Sequence, residues 1–174
     1  PVNKNEAARY YKMSADKGNS IAMYSYANML KKGDGIPVNK NEAALYYKMA
    51  IDKGNTDAMT NYAYMLQYGD GIPVNKNEAI RYYKMAIDKG NAYAMANYAY
   101  ILESGDGIPV NKNEAARYYK MSADKGNSTA MYNYANMLKK GDGIPVNKRE
   151  AVRYYKMAID KGDTDAMNIY ANML

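Results

Sequence analysis

The chain of 174 residues contains no cysteine and no histidine, and it also lacks tryptophan and phenylalanine. Without cysteine or histidine it cannot form a disulfide, a thiolate nucleophile, a Ser-His-Asp triad or one of the usual zinc sites. The sequence therefore predicts no catalytic residue, no metal ligand and no bound cofactor. The lack of cysteine is typical of a reducing compartment, which favours the cytoplasm without fixing the location.

Long apolar runs are also absent. No stretch approaches the ~20 apolar residues that a transmembrane helix requires, and the charged residues, 24% of the total, are spread along the chain. The sequence therefore predicts no membrane span. It begins with a proline inside a repeated pattern and not with a methionine, so we expect it to be a segment of a longer array.

The net charge of +6 comes from lysines and arginines that recur at fixed positions among acidic residues. The densest basic runs are only the pairs Lys31-Lys32 and Lys139-Lys140. A surface that follows nucleic-acid phosphates usually shows tighter clustering, so the sequence does not indicate a nucleic-acid partner. The acidic residues fall at helix caps, helix flanks and turns, and "GDG" lacks the further ligands of a calcium loop. We therefore expect a protein that is not an enzyme.

One stretch of eleven residues, "GDGIPVNKNEA", begins at Gly33 and is repeated along the chain, with a single change at Arg149 in its last copy. The prolines are spaced 36 residues apart, which is typical of a solenoid. This period predicts one repeat array over residues 1–174. Its repeats are residues 1–36, 37–72, 73–108, 109–144 and a partial repeat, 145–174.

Each repeat contains two helical patterns. In the first repeat, Asn3 and Glu6 form a capping-box pattern before helix B, which we expect to run from about Lys4 to Lys17. Helix A follows after Gly18-Asn19 and ends at Gly33, because glycine permits the left-handed conformation of a helix end. Neither helix can bury its apolar stripe alone. The sequence therefore predicts an all-α fold, an α/α superhelical solenoid of antiparallel helix pairs with 36-residue repeats.

The pattern A-M-x-N-Y-A-x-M-L-x-x-G-D-G-I-P-V-N-K-N-E-A-x-x-Y-Y-K-M-A-x-D-K-G-N, read from Ala58 into Asn91 with small variations, resembles the Sel-one-like repeat family, which is related to tetratricopeptide repeats. It departs from the family at Tyr62-Ala63, where Leu-Gly is frequent, and at Met85, where a polar residue is common. The residues that carry the resemblance are Ala58, Gly69-Asp70-Gly71-Ile72, Ala79, Tyr82-Tyr83 and Lys89-Gly90. The resemblance implies a scaffold or adaptor that holds other proteins together.

Positions that differ among the copies lie on one face of helix A. In related solenoids the A helices line the concave surface, so the resemblance implies that this face forms a groove for a peptide or protein segment. Asparagine can pair with a peptide backbone, and tyrosine offers a large surface with a polar tip. We call the tyrosines and asparagines of this face the stripe. Its residues are Tyr24, Asn28, Asn61, Tyr64, Tyr68, Tyr93, Asn97, Tyr100, Tyr132, Asn133, Asn136, Asn168 and Asn172.

Two alternatives remain open. The stripe positions can differ simply because they face solvent and nothing constrains them. The chain can also be a structural protein, because the apolar face expected at Leu174 matches the one expected at Tyr10 and Tyr11. A head-to-tail contact between copies would then continue the solenoid into an extended or filamentous assembly.

Overall fold

The computed structural model describes residues 3–173, which form ten helices and no strand. The chain divides into two compact units, residues 1–89 and residues 90–174. No helix within the described residues is long and apolar enough to cross a membrane. In chain order the helices are α1 (Lys4–Asp16), α2 (Ser20–Lys32), α3 (Lys40–Asp52), α4 (Thr56–Tyr68), α5 (Lys76–Asp88), α6 (Ala92–Ser104), α7 (Lys112–Asp124), α8 (Ser128–Lys140), α9 (Lys148–Asp160) and α10 (Thr164–Ala171). The odd-numbered helices are the predicted B helices, and the even-numbered helices are the A helices.

An asparagine begins each B helix. At α3, Asn39 Oδ1 accepts a hydrogen bond from the backbone N–H of Glu42 at 3.1 Å, and Asn39 Nδ2 donates to Glu42 Oε2 at 3.0 Å. This exchange satisfies a backbone donor that has no partner inside the helix. The same cap occurs at the other B helices, with Asn3, Asn75, Asn111 and Asn147. The predicted helix starts are therefore confirmed.

Glycine ends the first four A helices and also shapes the loop that follows them. Gly69 has a φ of 68° and closes α4 through a hydrogen bond from its N–H to the carbonyl of Met65. Two residues later, Gly71 has a φ of +85° and lies directly against Lys40 at the start of α3. The carboxylate of Asp70 pairs with the Lys40 ammonium at 2.5 Å. The loop after α4 is thereby fastened to the beginning of α3.

Within each unit, an A helix packs most extensively against the B helix that follows it. These pairs are α2 with α3 and α4 with α5 in the first unit, and α6 with α7 and α8 with α9 in the second. Fully buried alanines such as Ala27 and Ala63 let the helices approach closely. Beside them, Tyr26 meets Tyr46 edge to face with ring centroids 4.8 Å apart, and Tyr62 meets Tyr82 at 5.1 Å. Each such pair contributes ~0.5–1.5 kcal/mol beyond the burial of its area.

Two glycines with similar φ angles allow a controlled test of the loop contact. We expect Gly54→Ala to lower the free energy of unfolding by about 1 kcal/mol, because its φ is +82° but open space surrounds the position. Gly71→Ala should lower it by about 1–3 kcal/mol more, because the new Cβ would overlap Lys40. Urea unfolding of both variants measures the difference. Equal losses would show that the close approach of the loop to α3 is unimportant.

Candidate functional site

The structure places the stripe residues at two different depths. Tyr64, Tyr68, Tyr93 and Tyr100 are 41%, 50%, 68% and 49% exposed, respectively. Asn168 on the last A helix and Asn172, which caps its C-terminal end, are also exposed. The remaining stripe residues are half-buried, and they are Tyr24, Asn28, Asn61, Asn97, Tyr132, Asn133 and Asn136. The exposed tyrosines and the half-buried asparagines therefore need separate explanations.

In the first unit, Asn28 and Asn61 bind an internal hydroxyl. Tyr47 of α3 is completely buried and donates its hydroxyl to Asn28 Oδ1 at 2.6 Å. Asn61 Nδ2 donates to the same oxygen at 3.1 Å and to the Tyr47 hydroxyl at 3.4 Å. Burial raises the pKa of Tyr47 above its ordinary value, so the hydroxyl stays protonated and remains a donor. Asn28 thus satisfies a polar group that has no access to water.

The second unit repeats this arrangement. Tyr155 of α9 is completely buried and donates its hydroxyl to Asn136 Oδ1 at 2.6 Å. Burial raises the pKa of Tyr155 to about 12. Asn136 lies on α8 at the position that Asn28 holds on α2. Three of the asparagines assigned to ligand binding from the sequence, Asn28, Asn61 and Asn136, are therefore engaged inside the fold.

On α4 and α6 the acceptor lies one helical turn later. Tyr83 donates its hydroxyl to Gln67 Oε1 at 3.1 Å, and Tyr119 donates to Glu103 Oε2 at 2.9 Å. Gln67 lies three residues beyond Tyr64, which holds the position of Asn28. Residues three apart share a helix face, so either position can reach the same hydroxyl.

The acceptor for the buried hydroxyl thus alternates between two positions of helix A, and we call this alternation the exchange of acceptors. The sequence carries a signal for it that our assignment of the stripe missed. Where the first position is asparagine, the residue three places on is lysine, as in Asn28 with Lys31. Where the first position is tyrosine, the later residue is an acceptor, as in Tyr64 with Gln67. The pair therefore always contains one acceptor for the buried hydroxyl. Tyr64 and Tyr100 are released from this role and are exposed.

The exposed tyrosines of α4 lie beside positive charge. The rings of Tyr64 and Tyr68 have centroids 4.5 Å apart, and Lys31 Nζ lies 4.8 Å from the Tyr64 centroid. Lys31 also pairs with Asp70 at 3.4 Å. The pKa of Asp70 is lowered, chiefly by its hydrogen bond from Lys40. The stripe residues of α4 thus present aromatic surface to solvent next to the Lys31 ammonium.

Acidic side chains do not converge anywhere as a metal site would require, since no group of three or more possible ligands forms within residues 3–173. Besides its aromatic, amide and ammonium groups, the A-helix face carries the carboxylate of Glu103, which accepts from the Tyr119 hydroxyl.

The two ends of the described chain expose residues that are buried elsewhere. On α1, Tyr10 is 57% and Tyr11 is 41% exposed, whereas the equivalent Tyr46 and Tyr47 of α3 are 7% and 0% exposed. On α10, Met167 is 41% exposed, whereas the equivalent Met131 of α8 is 3% exposed. The apolar face expected at Leu174 lies outside the described residues.

Five segments of the chain match the model of the Sel1 repeat, namely residues 1–19, 20–55, 56–91, 92–127 and 128–163. From the second segment onward each match begins at the start of an A helix. The family therefore counts its repeat from helix A through the glycine loop into helix B, with the same 36-residue period that the prolines show. A sequence comparison with curated proteins finds no match.

Solved structures share the fold. A Sel1 repeat protein from Oxalobacter formigenes is 29% identical, with a TM-score of 0.92 over 98% of this chain and 68% of that one. A protective antigen of uropathogenic Escherichia coli strains, which displays the same repeat fold, is 23% identical with a TM-score of 0.87. That match covers 100% of this chain but 37% of the antigen. An immunity protein from Pseudomonas aeruginosa is 18% identical, with a TM-score of 0.68 over 94% of this chain and 61% of its own. The predicted resemblance and the predicted all-α solenoid are confirmed.

The exchange of acceptors can be tested on α8, where Lys139 forms no ion pair among the described residues. We expect Asn136→Tyr to lower the free energy of unfolding by about 1–3 kcal/mol, because the buried Tyr155 hydroxyl loses its acceptor. Adding Lys139→Gln should recover most of this loss, because it reproduces the pair found on α4. Urea unfolding of the single and double variants measures the recovery, with Lys139→Gln alone as the control. A double variant no more stable than Asn136→Tyr would contradict the exchange.

Proposed function

Because the chain belongs to the Sel1 repeat family, we propose that it is a scaffold or adaptor that binds a peptide or protein segment along the A-helix face of each unit. Sel1 repeats generally mediate protein–protein interaction, and the family is not typically enzymatic. The choice of the A-helix face as the binding surface, and of a peptide or protein segment as its ligand, rests on the chemistry of the stripe.

The observation that carries the proposal is the group of exposed tyrosines on the A helices. Tyr93 and Tyr100 are 68% and 49% exposed in the second unit, and Tyr64 and Tyr68 are 41% and 50% exposed in the first. Exposed aromatic side chains supply much contact area at a low entropic cost, and they are enriched where proteins bind partners. Because Gln67 and Glu103 accept from the buried hydroxyls, Tyr64 and Tyr100 are not needed for that purpose.

The half-buried asparagines support the same face in a different way. Asn28 Oδ1 already accepts two hydrogen bonds, so it has no acceptor capacity left for a peptide. We assign Asn28 and Asn136 a structural role and assign ligand contact mainly to the exposed tyrosines. The proposed binding surface is therefore more aromatic and less amide-rich than the sequence predicts.

Selection from a displayed library of random 12-residue peptides tests this proposal directly. We expect the intact chain to enrich peptides that bind the variant Tyr64→Ala/Tyr68→Ala/Tyr100→Ala about tenfold more weakly or worse, because the anchoring surface is removed. The control variant, Leu45→Ala/Met85→Ala/Met121→Ala, removes three exposed apolar side chains from the B helices and should bind normally. The proposal is contradicted if the library enriches no peptide. It is also contradicted if the enriched peptides bind the control variant more weakly than the intact chain but bind the tyrosine variant normally.

End-to-end association of copies is a second candidate function. The exposed Tyr10 and Tyr11 at one end and Met167 at the other favour it, since the equivalent residues in the interior are buried against a neighbouring repeat. A second copy could bury the same surfaces by the same helix packing. The face would equally accept a further repeat of a longer chain.

Light scattering across a concentration series separates the two candidates. End-to-end assembly predicts a mass that rises with protein concentration and falls again in Tyr10→Asp/Tyr11→Asp, because charged groups cannot be buried at that contact. A mass that stays that of one chain at every concentration eliminates this candidate and leaves peptide binding unaffected.

A further inference from the structure

The A-helix face of the first unit has one local feature that the other A helices lack. Among the described residues, only α4 carries tyrosine both at the position of Asn28 and one turn later, as Tyr64 and Tyr68. The corresponding pairs elsewhere are Asn28 with Lys32 on α2, Tyr100 with Ser104 on α6 and Asn136 with Lys140 on α8. Residues four apart lie side by side on a helix, and the two rings of α4 are in contact at 4.5 Å.

This aromatic pair lies beside the end of α2. The contact between Lys31 Nζ and the Tyr64 ring, at 4.8 Å, joins the two helices at this point. Lys32 holds on α2 the position that Tyr68 holds on α4. The tyrosine pair and the two lysines therefore belong to one surface of the first unit, which we call the Tyr-Lys cluster and define as Lys31, Lys32, Tyr64 and Tyr68.

The charges around the cluster do not cancel. A single carboxylate, Asp70, is shared between Lys31 at 3.4 Å and Lys40 at 2.5 Å. The neighbouring Asp34 is paired with Lys4 at 2.6 Å. Lys32 is exposed and makes no ion pair within the described residues. Asp70 can balance only one of the three ammonium groups of Lys31, Lys32 and Lys40, so two positive charges remain in excess beside the aromatic pair. Lys32 is the exposed lysine among them that has no ion pair within the described residues.

The geometry points to an acidic peptide segment as the occupant of the Tyr-Lys cluster, an inference that rests on the proposed function. A carboxylate of the segment would pair with the Lys32 ammonium, and the next apolar side chain or proline would lie on the Tyr64 and Tyr68 rings. Basic segments are disfavoured by the uncompensated charge, because like charges across an interface repel. The aromatic pair supplies contact area, and the lysines supply the preference for negative charge.

The same selection of 12-residue peptides also tests this inference, because the charge of the enriched peptides is read directly from their sequences. We expect the intact chain to enrich peptides with an excess of Asp and Glu over Lys and Arg. Synthetic copies with Asp→Asn and Glu→Gln should bind about three- to tenfold more weakly, and the difference should shrink at high salt. Lys32→Glu should weaken the acidic peptides to a similar degree.

Lys53→Glu is the matched control, because it makes the same change in net charge at an exposed lysine that ends α3. It should leave peptide binding unchanged, and thermal unfolding monitored by circular dichroism checks that each variant is folded. Enriched peptides that are neutral or basic, or acidic peptides equally sensitive to Lys32→Glu and Lys53→Glu, would overturn the acidic assignment. If such peptides still depend on Tyr64 and Tyr68, the proposed function stands. A library with no enriched peptide contradicts both.

Discussion

A buried tyrosine hydroxyl that must find an acceptor on the preceding A helix constrains the rest of the structure. Tyr47, Tyr83, Tyr119 and Tyr155 are each at most 1% exposed, so none can bond to bulk water instead. An unsatisfied hydroxyl at such a depth would cost ~1–3 kcal/mol, which is large beside the stability of a small repeat unit. The preceding A helix must therefore present an oxygen within reach at every one of these junctions. Tight packing of alanines and edge-to-face tyrosine pairs holds the two helices at the distance that this bond needs.

Two positions on helix A can supply that oxygen, and the choice between them decides what the surface presents. A short asparagine such as Asn28 reaches the hydroxyl from the first position, and the residue one turn later is then a lysine. The longer Gln67 or Glu103 reaches it from the later position, and the first position then holds an exposed tyrosine. The interior requirement is identical in both cases. Because the requirement can be met in two ways, the exposed residues of the A helices can differ between repeats while the interior bond is kept.

The sequence predicts the helices well because their ends are specified locally. An asparagine followed three residues later by glutamate starts each B helix, and a left-handed glycine ends each of the first four A helices. The stripe is harder to predict. Its partner residues lie 16 or 19 positions away, as Gln67 to Tyr83 and Asn28 to Tyr47, and only side-chain length decides which one reaches. Periodicity places Asn28 and Tyr64 on the same face, but it does not reveal that one is bonded inward and the other exposed.

A double-mutant cycle between Tyr83 and Gln67 tests this central claim most directly. Tyr83→Phe removes the donor and Gln67→Leu removes the acceptor, so their combined effect on the free energy of unfolding isolates the bond. The account predicts a coupling energy of about 1 kcal/mol or more for this pair. It predicts a coupling near zero between Tyr83→Phe and Tyr64→Phe, because the Tyr64 hydroxyl has no part in the bond. A negligible coupling between Tyr83 and Gln67, or an equal one with Tyr64, would contradict the account.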